Sequence, residues 1–235
     1  MKFVLIGGKE NKEIQDNLIE KRIIESLDCK PRILFCPLAT IEKEKAIFKF
    51  KKLLHDIDYD LDVLDLNNLD KFDELINTAD IFYVGGGNCN HLVDVFKKNK
   101  LDIKLKNHLN DNIIYIGSSA GAMLVSVISM GDRDMYSDNF HNYNYKMVEC
   151  LGILNISICP HFQNEDLIIY NDEVIKLDID SFGIEEGSAL VIDNDKFYVL
   201  KDQNKNMIYY YPNDSKKMIP LKAGVIYEKT SGFRS

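Results

Sequence analysis

Short apolar runs alternate with amphipathic stretches along most of the chain. KFVLI (2–6) is stopped by Gly7-Gly8, and RILFCPL (32–38), LDVLDL (61–66), DIFYVGGGN (80–88) and NIIYIG (112–117) repeat the theme of a strand running into a turn. Between them, Ile14, Leu18, Ile23, Ile24 and Leu27 recur at helical spacing over 13–27, and Ala46, Ile47, Phe50, Leu53, Leu54 and Ile57 share one face over 43–57. A short helix around 71–77, helices over 89–99 and 101–110, and a helix from the turn at Gly117 to about residue 128 complete the series. Strands this apolar, with no polar alternation, fit a mostly parallel sheet covered on both faces by helices. Beyond residue 180, SFGIEE, ALVID, KFYVLK, MIYYY and AGVIYE are short strands separated by turn residues, which predict an antiparallel meander closing the same domain.

The pattern continues without a Pro/Gly/Ser-rich linker, an internal repeat or a low-complexity tract, so the 235 residues are expected to form a single α/β domain. The formal charge of −8, with no dense Lys/Arg block, argues against nucleic acid and against an anionic membrane as partners. No apolar run approaches the ~18 residues of a membrane span. The start MKFVLIGG is too short in its apolar part for a signal peptide and reads as a buried strand. Five cysteines (Cys29, Cys36, Cys89, Cys150, Cys159), odd in number and free of CxxC spacing, fit reduced thiols in a cytoplasm.

The sharpest chemical signal is Gly117-Ser118-Ser119-Ala120-Gly121, a G-x-S-x-G placed between a strand and a helix. Such a turn forces the central Ser into a strained backbone that only small neighbours tolerate, and it aims the N–H of Ala120 where an oxyanion would form. The plainer reading is a small-residue βα turn with Ser as helix cap. A serine nucleophile needs a base. Of the five histidines, His55 and His108 fall on helix surfaces where solvated rings are usual, whereas His161 follows the apolar run ISICP at a strand end, the edge that also carries Ser119. In YVGGGNCNH (83–91) three glycines permit close backbone approach, and a glycine N–H facing the elbow would be a second oxyanion donor; the alternative is a tight turn with Asn88 capping the next helix. The carboxylate of a triad has three candidates, Asp132, Asp134 and Asp138, in the polar, aperiodic stretch 130–146, which is expected to be a loop. No histidine spacing suggests a metal site, and acyl transfer by a triad requires no cofactor. The Tyr-rich stretches (Tyr143, Tyr145, Tyr209, Tyr210, Tyr211) suit either a homodimer interface or, more commonly, meander core.

Taken together, FYVGGGN, YIGSSAGA, the Asp134-Met135 pair some fifteen residues beyond Ser119, and CPHFQN resemble the S51 family of serine peptidases. The resemblance implies a flavodoxin-like three-layer α/β/α sandwich, related to class I glutamine amidotransferases with Ser in place of their Cys. It also implies a serine-type hydrolase of short peptides, with Ser119 as nucleophile, His161 as general base and then acid, Asp134 as orienting carboxylate, and the N–H groups of Gly87 and Ala120 as oxyanion donors. Asn88 beside the glycine turn is the implied substrate contact. The chain departs from the family's aspartyl dipeptidases after CPHFQN. Their Gly-Glu-x-Arg run, whose Arg holds the substrate's aspartyl carboxylate, is replaced by EDLIIYNDEVIK, which contains no Arg. Arg133, next to Asp134, is the substitute the sequence offers, while Glu165 and Asp166 in the altered loop would instead favour a substrate amine or basic side chain. A cyanophycinase-like hydrolase and a non-catalytic peptide- or amine-binding protein on the same scaffold are the alternatives.

Overall fold

The computed structural model describes residues 1–8, 18–109, 112–132, 145–163, 166–202 and 207–228. The chain runs β1 (Lys2–Ile6), α1 (Leu18–Glu25), β2 (Arg32–Cys36), α2 (Lys43–Leu53) and β3 (Asp60–Val63), then a 3-10 turn (Leu69–Lys71) leading into α3 (Phe72–Asn77). β4 (Ile81–Val84), α4 (Cys89–Lys98), α5 (Leu101–Asn107), β5 (Ile114–Ser118) and α6 (Ala120–Leu124) follow. The second half comprises β6 (Ile128–Asp132), β7 (Tyr145–Glu149), β8 (Ile156–Pro160), α7 (Asp166–Val174), β9 (Asp180–Ile184) and β10 (Ser188–Asp193). It ends with β11 (Lys196–Lys201), β12 (Ile208–Tyr211), β13 (Ile219–Pro220) and β14 (Ile226–Glu228).

An eight-stranded sheet in the order β14-β11-β10-β1-β5-β4-β2-β3 forms the centre. Its β1, β5, β4, β2 and β3 are parallel, and β10, β11 and β14 add antiparallel on the β1 side. The sequence dictates why both faces are covered. Alternate residues of a strand point to opposite sides, and in β1, β2, β4 and β5 both sets are largely apolar and buried. Val4, Ile6, Ile33, Phe35, Ile81, Tyr83 and Ile116 pack with Ile19, Ile23 and Ile24 of α1 and Phe50 and Leu53 of α2. Phe3, Leu5, Leu34, Phe82, Val84 and Tyr115 pack on the opposite face with α3, α4, α5 and α6. This is the α/β layering that the sequence predicts.

Two features differ from the sequence reading. The helix after Gly117 ends at Leu124 and does not reach 128. Ser126 closes it, since both its N–H (3.0 Å) and its Oγ (2.8 Å) donate to the Met123 carbonyl. The β-branched Val127-Ile128 then favours the strand β6. β6 pairs antiparallel with β7, so the ends of the expected 130–146 loop are strand, and 133–144 lie outside the described residues. The C-terminal strands also divide between two sheets. β10, β11 and β14 extend the central sheet, while β9, β12 and β13 belong to a six-stranded sheet of order β13-β12-β9-β8-β6-β7. In that sheet β9 lies parallel to β8, which brings their carboxyl ends to one edge. Its Ile156, Ile158, Phe182, Ile184, Ile208 and Tyr210 join the core under α6, and Cys159, Phe162 and Tyr211 pack with Tyr170 of α7 on its other side. Tyr210 and Tyr211 are therefore core residues, and Tyr209 packs at the edge of the outer cluster.

The turn at Ser119 is supported from within the core. Tyr115, fully buried on β5, donates its hydroxyl to the Gly121 carbonyl at 2.6 Å. Tyr115→Phe is expected to leave that carbonyl short of its partner and to lower stability by about 1–3 kcal/mol, read as a lower denaturant midpoint at unchanged slope.

Candidate active site

Four strand ends converge on one place. β5 delivers Ser119, β8 delivers His161, β9 leads through Glu185 to Glu186, and β4 leads into the glycine turn 85–87. Ser119 takes φ +53° and ψ −112°, a conformation that L-residues rarely adopt and that costs on the order of 1–3 kcal/mol. This is the strained elbow that G-x-S-x-G predicts. His161 is also at positive φ, +52°.

The end of β1 holds these residues. Three successive carbonyls accept one N–H each: Ile6 from Ser119 (2.9 Å), Gly7 from His161 (2.7 Å) and Gly8 from Gly187 (3.1 Å), the residue after Glu186. Gly7 also donates to the Ser188 carbonyl at 3.0 Å. Glycine is required at both positions. A Cβ on Gly7 would overlap the carbonyls of Ile184 and Glu185, and one on Gly8, at φ +130°, would overlap the His161 imidazole.

The side chains then meet. Ser119 Oγ lies 2.8 Å from His161 Nε2, and His161 Nδ1 lies 2.6 Å from Glu186 Oε1. A carboxylate accepts, so Nδ1 carries the proton toward Glu186 and Nε2 accepts from the Ser119 hydroxyl. The site is open to a reactant, with the His161 side chain 41% and that of Glu186 25% exposed. Glu185 is turned to a structural task, its Oε2 accepting the N–H of Met207 at 2.8 Å.

The glycine turn faces the elbow, since a Cβ on Gly86 would sit 3.2 Å from Ser119 Cβ. Among the described residues no backbone carbonyl takes the N–H of Gly87 or of Ala120, so both donors are uncommitted there. Asn88 caps α4 by accepting the His91 N–H on its Oδ1 at 2.8 Å, and its own N–H bonds to the Ala39 carbonyl at 2.7 Å. A cavity of about 330 Å³ opens between this turn, Ser118 and α2; Phe50 and Tyr83 line it from the core, and the exposed Lys45 and Lys49 border it. Tyr83 donates to Glu20 Oε1 at 3.2 Å; burial, with the Glu20 charge beside it, pushes the Tyr83 hydroxyl's pKa well up, so it stays protonated as a donor.

Of the residues singled out in the sequence, Ser119 and His161 are brought into contact, and Gly87, Asn88 and Ala120 lie in the turns beside them. Arg133, Asp134, Asp138 and His141 lie outside the described residues, as does Glu165. Asp132 ends β6 and Asp166 begins α7. His55 is exposed as expected, but His108 is buried against Phe72, with Nε2 3.4 Å from Asp73 Oδ1. Sequence reasoning missed Glu186. Its signal was an acidic pair followed by glycine at a strand end, which is informative only once β9 is known to run parallel to β8. Among the described residues no group of His, Cys, Asp and Glu is arranged to hold a metal ion, and no helix is long and apolar enough to cross a membrane.

Comparison with known proteins identifies the family and the fold. The sequence profile of peptidase family S51 matches residues 3–200. A peptidase E of Nostoc sp. is 27% identical over 204 residues, covering 78% of this chain and 81% of the relative. An uncharacterized peptidase of Bacillus subtilis is 27% identical over 203 residues, covering 83% and 85%. The crystal structure of a peptidase from an acI-B1 Actinobacterium superposes with a TM-score of 0.71 at 22% identity, covering 97% of this chain and 96% of that one. A putative peptidase E from Listeria monocytogenes gives 0.63 at 20% identity, covering 85% and 98%. These two structures support the fold.

Gly8→Ala tests the β1 jig. The variant is expected to fold, and its structure should show the imidazole pushed out of hydrogen-bond reach of Ser119 Oγ.

Proposed function

We propose, for a chain that belongs to peptidase family S51, that it is a serine-type hydrolase of short peptides working through Ser119, His161 and Glu186. The observation that carries this reading is the continuous hydrogen-bonded line from Ser119 Oγ to His161 Nε2 (2.8 Å) and from His161 Nδ1 to Glu186 Oε1 (2.6 Å). Ser119 attacks the scissile carbonyl as His161 Nε2 takes its proton. The same nitrogen then protonates the leaving amine, and Glu186 holds the ring in the Nδ1–H tautomer and stabilises the imidazolium. The N–H groups of Gly87 and Ala120 receive the oxyanion, and losing one such donor costs about 10²–10³ in turnover. Asp134, the carboxylate implied by the family resemblance, is thereby assigned a lesser part than Glu186, since Nδ1 already has a carboxylate partner. Asn88 holds the glycine turn through its cap and offers its amide nitrogen to substrate. No metal or cofactor enters this chemistry.

The cavity beside the glycine turn is the place for the substrate's acyl-side residue, because His161, which must reach the leaving amine, stands over β1 on the opposite side of Ser119. Lys45 and Lys49 are the cations at its border, and the loop after CPHFQN, which carries an arginine in the family's aspartyl dipeptidases, has none here.

Ser119→Ala is expected to abolish peptide hydrolysis at unchanged thermal stability; retained turnover would end the reading. Glu186→Gln should lower kcat by about 10²–10⁴ with little change in KM, and Asp134→Asn by much less. Lys49→Glu should lower kcat/KM for dipeptides with an acidic first residue by about fivefold, the worth of an exposed ion pair near 1 kcal/mol, and leave leucine-first dipeptides unaffected.

A further inference from the structure

Four of the five cysteines are buried, and two of those four face one another. Cys89, the first residue of α4, and Cys150, just past the end of β7, place their Sγ atoms 3.9 Å apart within the core. Both thiols are free. They differ from the other buried cysteines in access, with Cys89 5% and Cys150 6% exposed against 0% for Cys36 and 1% for Cys159. Each also sits on a segment of the candidate site. Cys89 is two residues beyond Gly87 and adjoins Asn88, and the Cys150 segment clasps the elbow helix, Cys150 donating its N–H to Val127 (2.9 Å) and Leu151 to Leu124 (3.0 Å).

We propose that Cys89 and Cys150 are a site of reversible oxidation, at which a hydroperoxide converts the pair to a disulfide that ties the glycine turn to the segment behind the elbow helix. Closing the sulfurs from 3.9 Å to the ~2.05 Å of a disulfide draws the first residue of α4 toward β7 and shifts the oxyanion donor at Gly87. Either thiol can react first and the bond formed is the same; Cys150 is the one that the surrounding donors favour. Donation from the Cys89 thiol holds Cys150 below the usual thiol range, helped by the Ser126 and Ser129 hydroxyls and the Lys97 ammonium, while Cys89 is pushed up. Cys36, with burial pushing it up to about 12, is inert by comparison. The Cys150 thiolate attacks one peroxide oxygen, so the O–O bond breaks, hydroxide leaves and a sulfenic acid forms. The Cys89 sulfur, giving up its proton, attacks the sulfenic sulfur; the S–S bond forms, the S–O bond breaks, and a second hydroxide leaves as water. The two sulfurs lose two electrons, which reduce one peroxide to two waters.

The bond is independent of the acyl-transfer reading, whereas its effect at Ser119 rests on it. The test uses the full chain with Cys29→Ser, which removes the exposed thiol. Protein is treated with hydrogen peroxide, quenched, unfolded and alkylated, then read by intact mass and peptide map, while a parallel sample is reacted with a fluorophosphonate. The expected result is a Cys89–Cys150 cross-link, a chain lighter by two hydrogens, and two thiols lost to alkylation and regained with dithiothreitol. Fluorophosphonate labelling of Ser119 should slow on the order of tenfold or more, since a donor is displaced, and recover on reduction. Cys150→Ser in the same background should label at the same rate with and without peroxide; Cys89→Ala serves if that variant fails to fold. Full alkylation after peroxide, or a bond to Cys36 or Cys159 instead, would overturn the site. A Cys89–Cys150 bond with unchanged labelling would overturn its coupling to the elbow. Reduced protein that never labels refutes the acyl-transfer reading, and with it the coupling, while the thiol count still decides the bond.

Discussion

Three consecutive carbonyls at the end of one strand set the geometry of the whole site. Ile6, Gly7 and Gly8 accept the N–H groups of Ser119, His161 and Gly187, so a single stretch of backbone positions the hydroxyl, the imidazole and the carboxylate-bearing turn. Peptide planes are stiff, and bonds spaced along one strand end translate directly into the spacing of the groups they hold. The two glycines are what permit it, because a side chain at either would occupy the space of the 184–185 carbonyls or of the His161 ring. The positive φ of Ser119 and of His161 is unfavourable in isolation and persists because each residue's N–H is anchored to this same segment.

That jig depends in turn on the sheets. β1 lies between β5 and β10 in the central sheet, so its end is flanked by the Ser119 turn on one side and the 185–188 turn on the other. The second sheet supplies His161 from β8 and sets β9 parallel beside it, which is why Glu186 leaves the sheet at the edge where the histidine stands. The two sheets share one core through Ile156, Ile158, Phe182 and Ile184, and the elbow helix sits in it with Ala120, Ala122 and Leu124 fully buried. Packing of this density transmits small displacements, the property on which any coupling between the Cys89–Cys150 pair and the elbow relies.

Local chemistry was legible in the sequence and nonlocal pairing was not. The elbow could be read from Gly117 to Gly121 because the steric demand of a strand-to-helix turn is written in five adjacent residues. His161 could be read because it follows the apolar run ISICP, a strand whose carboxyl end lines the crevice of such a sheet. Glu186 escaped because Ile184-Glu185-Glu186-Gly187 looks the same whether its strand runs parallel beside β8 or antiparallel in a meander, and only the pairing register distinguishes them. The early stop of α6 escaped for a related reason, since the small, apolar AGAML continues into VSVISM without a break in hydrophobicity. The Ser126 hydroxyl that closes the turn is a local competitor for a helix carbonyl, which hydrophobic periodicity does not register.

The proposed acyl-transfer chemistry depends on the carboxylate that holds the His161 ring. Proton NMR of protein labelled with ¹⁵N-histidine reads the Nδ1–H of His161 directly, because a ring N–H bonded to a carboxylate is shifted far downfield and protected from exchange. The proposed chemistry predicts that this resonance is present in the wild type, survives Asp134→Asn and disappears in Glu186→Gln. A resonance that survives Glu186→Gln and vanishes in Asp134→Asn would contradict it.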